Sequence, residues 1–214
     1  MLSAPLAYVY ILVLRQQAGR TAAMTAIPAL KGMLAYLVIA VPLVVVSRLV
    51  PQPFDGAGLY LYSVVHDYAA PGILLFVLYL WFVRDTAHLT PEERFLSFVS
   101  FLAGAFTLAG LLDLALRADY HGPYELFQLP AMRITLMLVL PSLFYRFSAG
   151  SSPSRLLYIV AILLVPLLLG VVPLFAVSYR GTTSTIVAAV LFLGAWAMAL
   201  LATGDAARRG PRCR

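Results

Sequence analysis

The chain has 214 residues, of which 62% are hydrophobic and 11% are charged. Globular domains usually carry about 25% charged residues, and a soluble core of this size could not bury so much apolar surface. The composition therefore excludes an ordinary soluble protein. Because the charges cluster between long apolar runs, the sequence predicts an all-α polytopic transmembrane helical bundle in contact with the lipid bilayer.

Residues 1–31 are predicted to form an apolar N-terminal segment and a basic cytoplasmic connection. Met1–Leu14 is apolar, but as a helix it would reach only about 21 Å, short of a bilayer core of about 30 Å. No basic region precedes it and no clear small-residue cleavage site follows it, which argues against a cleaved signal peptide. It is an interfacial helix, a tilted seventh span or the remnant of a longer chain; we favour six spans plus this segment.

Residues 32–203 are predicted to form a six-span transmembrane domain, because six apolar segments reach the length of about 20 residues that a crossing needs. They are Gly32–Val50, Tyr60–Val83, Phe95–Leu116, Leu126–Phe147, Leu156–Val177 and Thr183–Thr203. Prolines at positions 42, 71, 141, 166 and 173 predict kinks, since neighbouring helices can satisfy the freed backbone groups. Ala105 with Ala109, and Ala195 with Ala199, are spaced four apart, which predicts close helix packing.

The basic residues predict an orientation. Eleven of the fifteen fall on one side of the alternating spans and four, including Arg133, on the other. The positive-inside rule makes the first side cytoplasmic, so we expect a basic cytoplasmic tail at 204–214 and outward loops at 51–59, 117–125 and 178–182. We therefore expect an integral protein of a bacterial cytoplasmic membrane, and we interpret the net charge of +6 as a topology signal rather than a nucleic-acid footprint.

Three charges fall inside predicted spans, where each costs roughly 2.5–3.5 kcal/mol at a helix centre and is a functional candidate by default. Asp67 and Arg133 each lie seven residues below the outer end of their predicted span, at a depth of about 10 Å. This coincidence of depth predicts an Asp67–Arg133 ion pair. Asp113 lies nearer the outer face, and we expect it to pair with Arg117, four residues along the same helix.

Further polar candidates surround this layer. His66 precedes Asp67, although adjacent helical residues point about 100° apart and need not face one cavity. The predicted outer loop carries Asp119, His121 and Glu125. His121 and Glu125 have the i,i+4 spacing of metal ligands, but Gly122 and Pro123 between them interrupt a helix. We therefore predict no metal and no cofactor.

Three functions fit these residues. A transporter or permease-like subunit, with Asp67 and Arg133 lining an outward-opening polar cavity, comes first, and it would require partner membrane subunits or a homo-oligomer. A non-catalytic membrane scaffold, in which the charges fix helix register, is the close alternative. An outer-leaflet enzyme comes third, because the sequence has no G-x-S-x-G or H-E-x-x-H motif and shows no activated nucleophile.

Overall fold

The computed structural model describes residues 23–49, 55–82, 90–116, 128–149, 152–173 and 182–208. Within them the chain is helical except at Asp55, Thr90 and the turn at Gly170, which confirms the all-α helical fold. The helices are α1 Ala23–Leu49, α2 Gly56–Phe82, α3 Pro91–Leu116, α4 Leu129–Ala149, α5 Ser152–Leu169 and α6 Thr182–Arg208. Met1–Leu14 lies outside the described residues.

Three of these helices contain stretches that are long and apolar enough to cross a bilayer. The stretches are Thr25–Val46 in α1, Gly56–Phe82 in α2 and Glu93–Asp113 in α3. Shorter apolar stretches lie in α5 and α6, at Ile159–Pro173 and Thr185–Ala197. Helices of this length and composition are typical of an integral membrane protein.

The helix ends differ from those predicted, because hydropathy marks the apolar part of a helix rather than its end. α1 begins nine residues before Gly32, inside the predicted basic connection, and α6 continues past Thr203 into the predicted tail. α2 begins four residues before Tyr60, because the Asp55 carboxylate accepts a hydrogen bond from the Gly58 N–H at 2.7 Å. This contact caps the helix.

α3 begins with a reciprocal capping box. The Glu93 N–H donates to the Thr90 hydroxyl at 3.3 Å, and the Thr90 N–H donates to the Glu93 carboxylate at 2.6 Å. Pro91 takes the first helical position, where its missing N–H has no intrahelical partner to lose.

Consecutive helices run in alternating directions, so that the bundle has two ends. At one end the Lys31 ammonium of α1 donates to the Phe82 carbonyl at 3.0 Å, and the Tyr79 hydroxyl of α2 donates to the Arg94 carbonyl at 3.1 Å. We call this the lower end. The opposite end, where Gly56 begins α2, is the upper end.

Two contacts tie later helices together at the upper end. The Tyr60 hydroxyl of α2 donates to the Leu167 carbonyl of α5 at 3.0 Å. The Gln128 amide, just before α4, donates to the Thr185 hydroxyl of α6 at 3.1 Å. α2, α4 and α6 therefore all begin at the upper end.

The core is centred on α3 and α4. All residues from 95 to 106 of α3 and from 134 to 143 of α4 are buried. Aromatic rings fill the space beside them, with Tyr79 stacked on Phe98 at 4.4 Å between ring centroids and Phe144 edge-on to Phe98 at 5.9 Å.

The surrounding helices expose large apolar side chains. They include Leu30, Leu34, Val38 and Val41 of α1, Leu163 of α5 and Leu193 of α6, each at least 58% exposed. An apolar surface of this extent suits contact with lipid rather than water.

α1 and α3 cross with their backbones almost in contact. A Cβ atom added at Gly32 would clash with the Phe101 carbonyl and lie 3.1 Å from the Ala105 nitrogen, and one added at Gly104 would clash with the Ala29 backbone. Ala105 and Ala109 of α3 are fully buried. Small residues hold membrane helices together by permitting such an approach, since lipid gives no hydrophobic drive for association.

We expect Gly32→Ala and Gly104→Ala to destabilise the bundle by about 1–3 kcal/mol, the usual range for overpacking a tight contact. Gly194→Ala in α6 is the matched control, because an added Cβ there meets nothing within 4 Å. Size-exclusion chromatography after heating in detergent would measure the three midpoints. Equal midpoints for Gly194→Ala and both crossing variants would contradict the close packing.

Candidate functional site

A π-helical segment, Ser63–Ala69, interrupts α2. The Ala70 N–H donates to the Val65 carbonyl five residues back, instead of four as in an α-helix. Pro71 explains the segment, because in an α-helix its ring would clash with the Asp67 carbonyl four residues earlier. The wider turn relieves that clash, and π-bulges of this kind are frequent at functional sites.

The wide turn brings His66 and Asp67 into contact. The His66 Nδ1 lies 2.9 Å from the Asp67 Oδ1, although an ideal α-helix would direct the two side chains about 100° apart. The His66 Nε2 lies 3.3 Å from the Leu43 carbonyl oxygen of α1. On its face, the imidazole stacks on the Tyr62 ring with 4.9 Å between centroids. The histidine ring is thus fixed at both nitrogens.

Arg133 of α4 pairs with Asp113 of α3. The Arg133 Nη2 lies 2.6 Å from the Asp113 Oδ2, and the two side chains are 14% and 32% exposed. Asp113 therefore makes an interhelical pair. The local pairing that the sequence predicts with Arg117 involves a residue outside the described ones. The direct Asp67–Arg133 pair expected from the sequence is replaced by two pairs, Arg133 with Asp113 and Asp67 with His66.

The observed helix ends explain this exchange of partners. Arg133 lies four residues after Leu129, and Asp113 three residues before Leu116, so both are about 5 Å from the upper ends of their helices. Asp67 lies eleven residues after Gly56, about 16 Å along α2. Asp67 and Arg133 therefore do not lie at equal depths when each depth is measured along the residue's own helix.

The two pairs still act on one another. Asp67 and the hydroxyl of Tyr36 on α1 lie close enough to Arg133 to interact with it electrostatically. We call Asp67, His66, Arg133 and Asp113 the polar cluster. It joins α2, α3 and α4 in the upper half of the bundle and contacts α1 through the Leu43 carbonyl.

An apolar cavity of about 230 Å³ lies beside the polar cluster, among α2, α3, α4 and α5. Val64 and Tyr68 of the π-helical segment line it near the upper end, and Phe76, Phe98 and Phe144 line it further down. Its walls are almost wholly hydrocarbon, which suits an apolar chain rather than a charged solute.

The remaining candidates contribute no described contact. Asp119, His121 and Glu125 lie outside the described residues. Within the described ranges, no group of three or more His, Cys, Asp or Glu side chains is placed to hold a metal ion. The chemistry available from the polar cluster is therefore ion binding and proton exchange by carboxylate, imidazole and guanidinium groups.

Sequence reasoning missed three features of this site: the Tyr62 stack, the Leu43 carbonyl and the π-helical segment. Pro71 was the available signal for the segment, since a proline within a span must be accommodated by kinking or widening the preceding turn. The Leu43 contact had no sequence signal, because a backbone carbonyl looks the same at every position.

No protein-family model, curated protein or solved structure matches this chain. The polar cluster and the helices that hold it are therefore the features from which its function is inferred.

We expect Arg133→Ala to destabilise the bundle more than the double variant with Asp113→Ala, because the single change leaves a carboxylate without its counter-charge. A fully buried pair would lose about 3–5 kcal/mol, and the exposure of Asp113 reduces this to about 2–3 kcal/mol. Arg48→Ala, at an exposed arginine near the upper end, is the control. Thermal unfolding midpoints in detergent of the single variants and the double variant measure this double-mutant cycle. Strictly additive losses of stability would contradict a coupled pair.

Proposed function

We propose that this chain is a six-span integral membrane protein of a bacterial cytoplasmic membrane, with the lower end of the bundle in the cytoplasm. The support is the basic residues: Lys31, Arg94 and Arg146 lie toward the lower ends of their helices. Arg155 lies in the first turn of α5, and Arg209, Arg212 and Arg214 follow the end of α6. Basic residues concentrate on the cytoplasmic side of membrane proteins.

We further propose that it acts as a transporter or permease-like subunit, with the polar cluster as its solute-interaction site. The observation that carries this proposal is the Arg133–Asp113 ion pair, set between two helices near the upper end with Asp113 about a third exposed. Intramembrane charges are costly and mark substrate or ion pathways in many membrane proteins.

Arg133 gives the site a preference for anions. A guanidinium offers a planar fork of N–H donors that matches a carboxylate or phosphate. Asp113 contacts that fork through a single pair of atoms, Nη2 and Oδ2. A carboxylate-bearing solute that entered from the upper, non-cytoplasmic end would compete with Asp113 for the guanidinium. Small organic anions are therefore the solute class that we propose.

The helices around the site contain points at which they can bend. α5 ends at a turn at Gly170, where the N–H donates to the Pro166 carbonyl at 2.9 Å, and Val64 of the π-helical segment packs directly on Gly170. Broken helices beside a charged site suit alternating access. Because α1, α5 and α6 expose apolar faces, partner membrane subunits or further copies of the chain could pack there.

A membrane scaffold is the second candidate, and the same ion pair favours it in one respect. Arg133 and Asp113 already neutralise each other, and complementary charges on neighbouring helices can serve to fix helix register. In a scaffold the pair would stabilise the fold without exchanging partners. The two functions therefore differ in whether Arg133 can accept a second anion.

A ligand screen tests this difference. We expect at least one small organic anion, among acetate, lactate, succinate and glutamate, to raise the thermal midpoint of the purified protein by a few degrees, and to enter proteoliposomes that contain it. The shift should vanish in Arg133→Gln and persist in Arg48→Gln. If no anion stabilises the protein and the swap Arg133→Asp with Asp113→Arg restores full stability and cellular phenotype, the scaffold is correct.

Side-specific labelling tests the orientation. In a Cys213→Ser background we expect Asp119→Cys to react with a membrane-impermeant maleimide from the non-cytoplasmic side of intact cells. Gly150→Cys, in the connection between α4 and α5, should react only after the membrane is opened. The reverse pattern would show that the proposed orientation is wrong.

A further inference from the structure

We propose that His66 and Asp67 form a proton-binding site, occupied when the imidazole is doubly protonated. Both ring nitrogens of His66 face oxygen atoms, the Asp67 carboxylate at 2.9 Å and the Leu43 carbonyl at 3.3 Å. A backbone carbonyl can only accept a hydrogen bond, so the Nε2 carries a hydrogen. With the Nε2 protonated, the Nδ1–Oδ1 contact requires one further proton between its two atoms.

The second proton resides on the stronger of the two bases, and imidazole is ordinarily a stronger base than a carboxylate. The proton is therefore held on the Nδ1, and His66 is an imidazolium that donates to both oxygens. The charges then alternate in sign along the polar cluster: Asp113 is negative, Arg133 positive, Asp67 negative and His66 positive. This row of charges ends at the Leu43 carbonyl dipole.

Loss of this proton changes the charge of the polar cluster from zero to minus one. The Nδ1 lone pair would then face the Asp67 carboxylate at 2.9 Å, a repulsive contact. Asp67 would gain most by turning to Arg133, which must then divide its positive charge between Asp67 and Asp113. Proton occupancy at His66 thus decides how strongly Arg133 holds Asp113.

The groups that face this site come from several helices. α1 contributes the Leu43 carbonyl and Tyr36, α3 contributes Asp113, α4 contributes Arg133, and α2 itself contributes Tyr62. α5 approaches the π-helical segment through three residues that have no titratable side chain: Pro166, Leu167 and Gly170. Among the described residues, these contacts bring together two carboxylates, one guanidinium, one imidazole and two phenols.

The proton site stands on these contacts alone, whereas its use in coupling proton movement to anion uptake rests on the proposed function. Histidine is the side chain whose charge ordinarily changes between pH 5 and 8. With the proton bound, the net charge of the polar cluster is zero instead of minus one, which favours the approach of a solute carboxylate to Arg133. An anion would then enter together with a proton.

Nitrogen NMR of the histidine ring tests the proton site directly. The chain has three histidines, so the variant His88→Gln, His121→Gln leaves His66 as the single reporter. We expect ¹⁵N spectra of this protein in nanodiscs at pH 7 to show both ring nitrogens protonated. Asp67→Asn should reduce that doubly protonated population at least tenfold, and Asp55→Asn, at the exposed cap of α2, should leave it unchanged.

A ring with one unprotonated nitrogen at pH 7 in the reporter protein would overturn the proposal, as would equal spectra for the reporter and Asp67→Asn. Folding of each variant is checked by its thermal midpoint; if Asp67→Asn does not fold, Asp67→Ala replaces it and should lower the doubly protonated population in the same way. A protonated ring without anion stabilisation would leave the proton site standing and remove the transporter. Anion uptake by a protein whose His66 ring has an unprotonated nitrogen would support the transporter and rule out the proton site.

Discussion

The guanidinium of Arg133 constrains the arrangement of the helices around it. A charge in an apolar environment is tolerated only when an opposite charge and hydrogen-bond partners surround it, because removing it from water is otherwise costly. Asp113 supplies the direct partner and Asp67 adds a second negative charge within range. α2, α3 and α4 must therefore meet on this side chain, and His66 joins them through Asp67.

Four hydroxyl groups within the described helices do not link one helix to another. The hydroxyls of Ser100, Thr107, Thr135 and Ser142 each donate to the carbonyl four residues earlier in the same helix. Because they are satisfied locally, they contribute little between helices. Cohesion therefore depends on the α1–α3 crossing at Gly32 and Gly104, on the aromatic rings around Phe98, on the polar cluster and on the interhelical hydrogen bonds at the two ends of the bundle.

The sequence predicted the helical class and placed a span on each of the six described helices, because a long apolar run between charged connections has few other structures. It also selected Asp67, Arg133, Asp113 and His66, since charge within an apolar run is visible in the residues themselves. It predicted the wrong pairing. Depth was counted from hydropathy boundaries, and the observed start of α2 lies one turn above Tyr60.

The residue types by themselves determined that this chain is helical and apolar and that a few ionisable groups lie where they are costly, because these properties follow from local composition and period. Only the tertiary structure decided which charge meets which. That choice depends on the capping of α2 by Asp55, on the wide turn that Pro71 imposes and on the close approach of α1 and α3. Each sets a helix's rotation or axial position, and a shift of a single residue moves a side chain by about 100° around the helix axis.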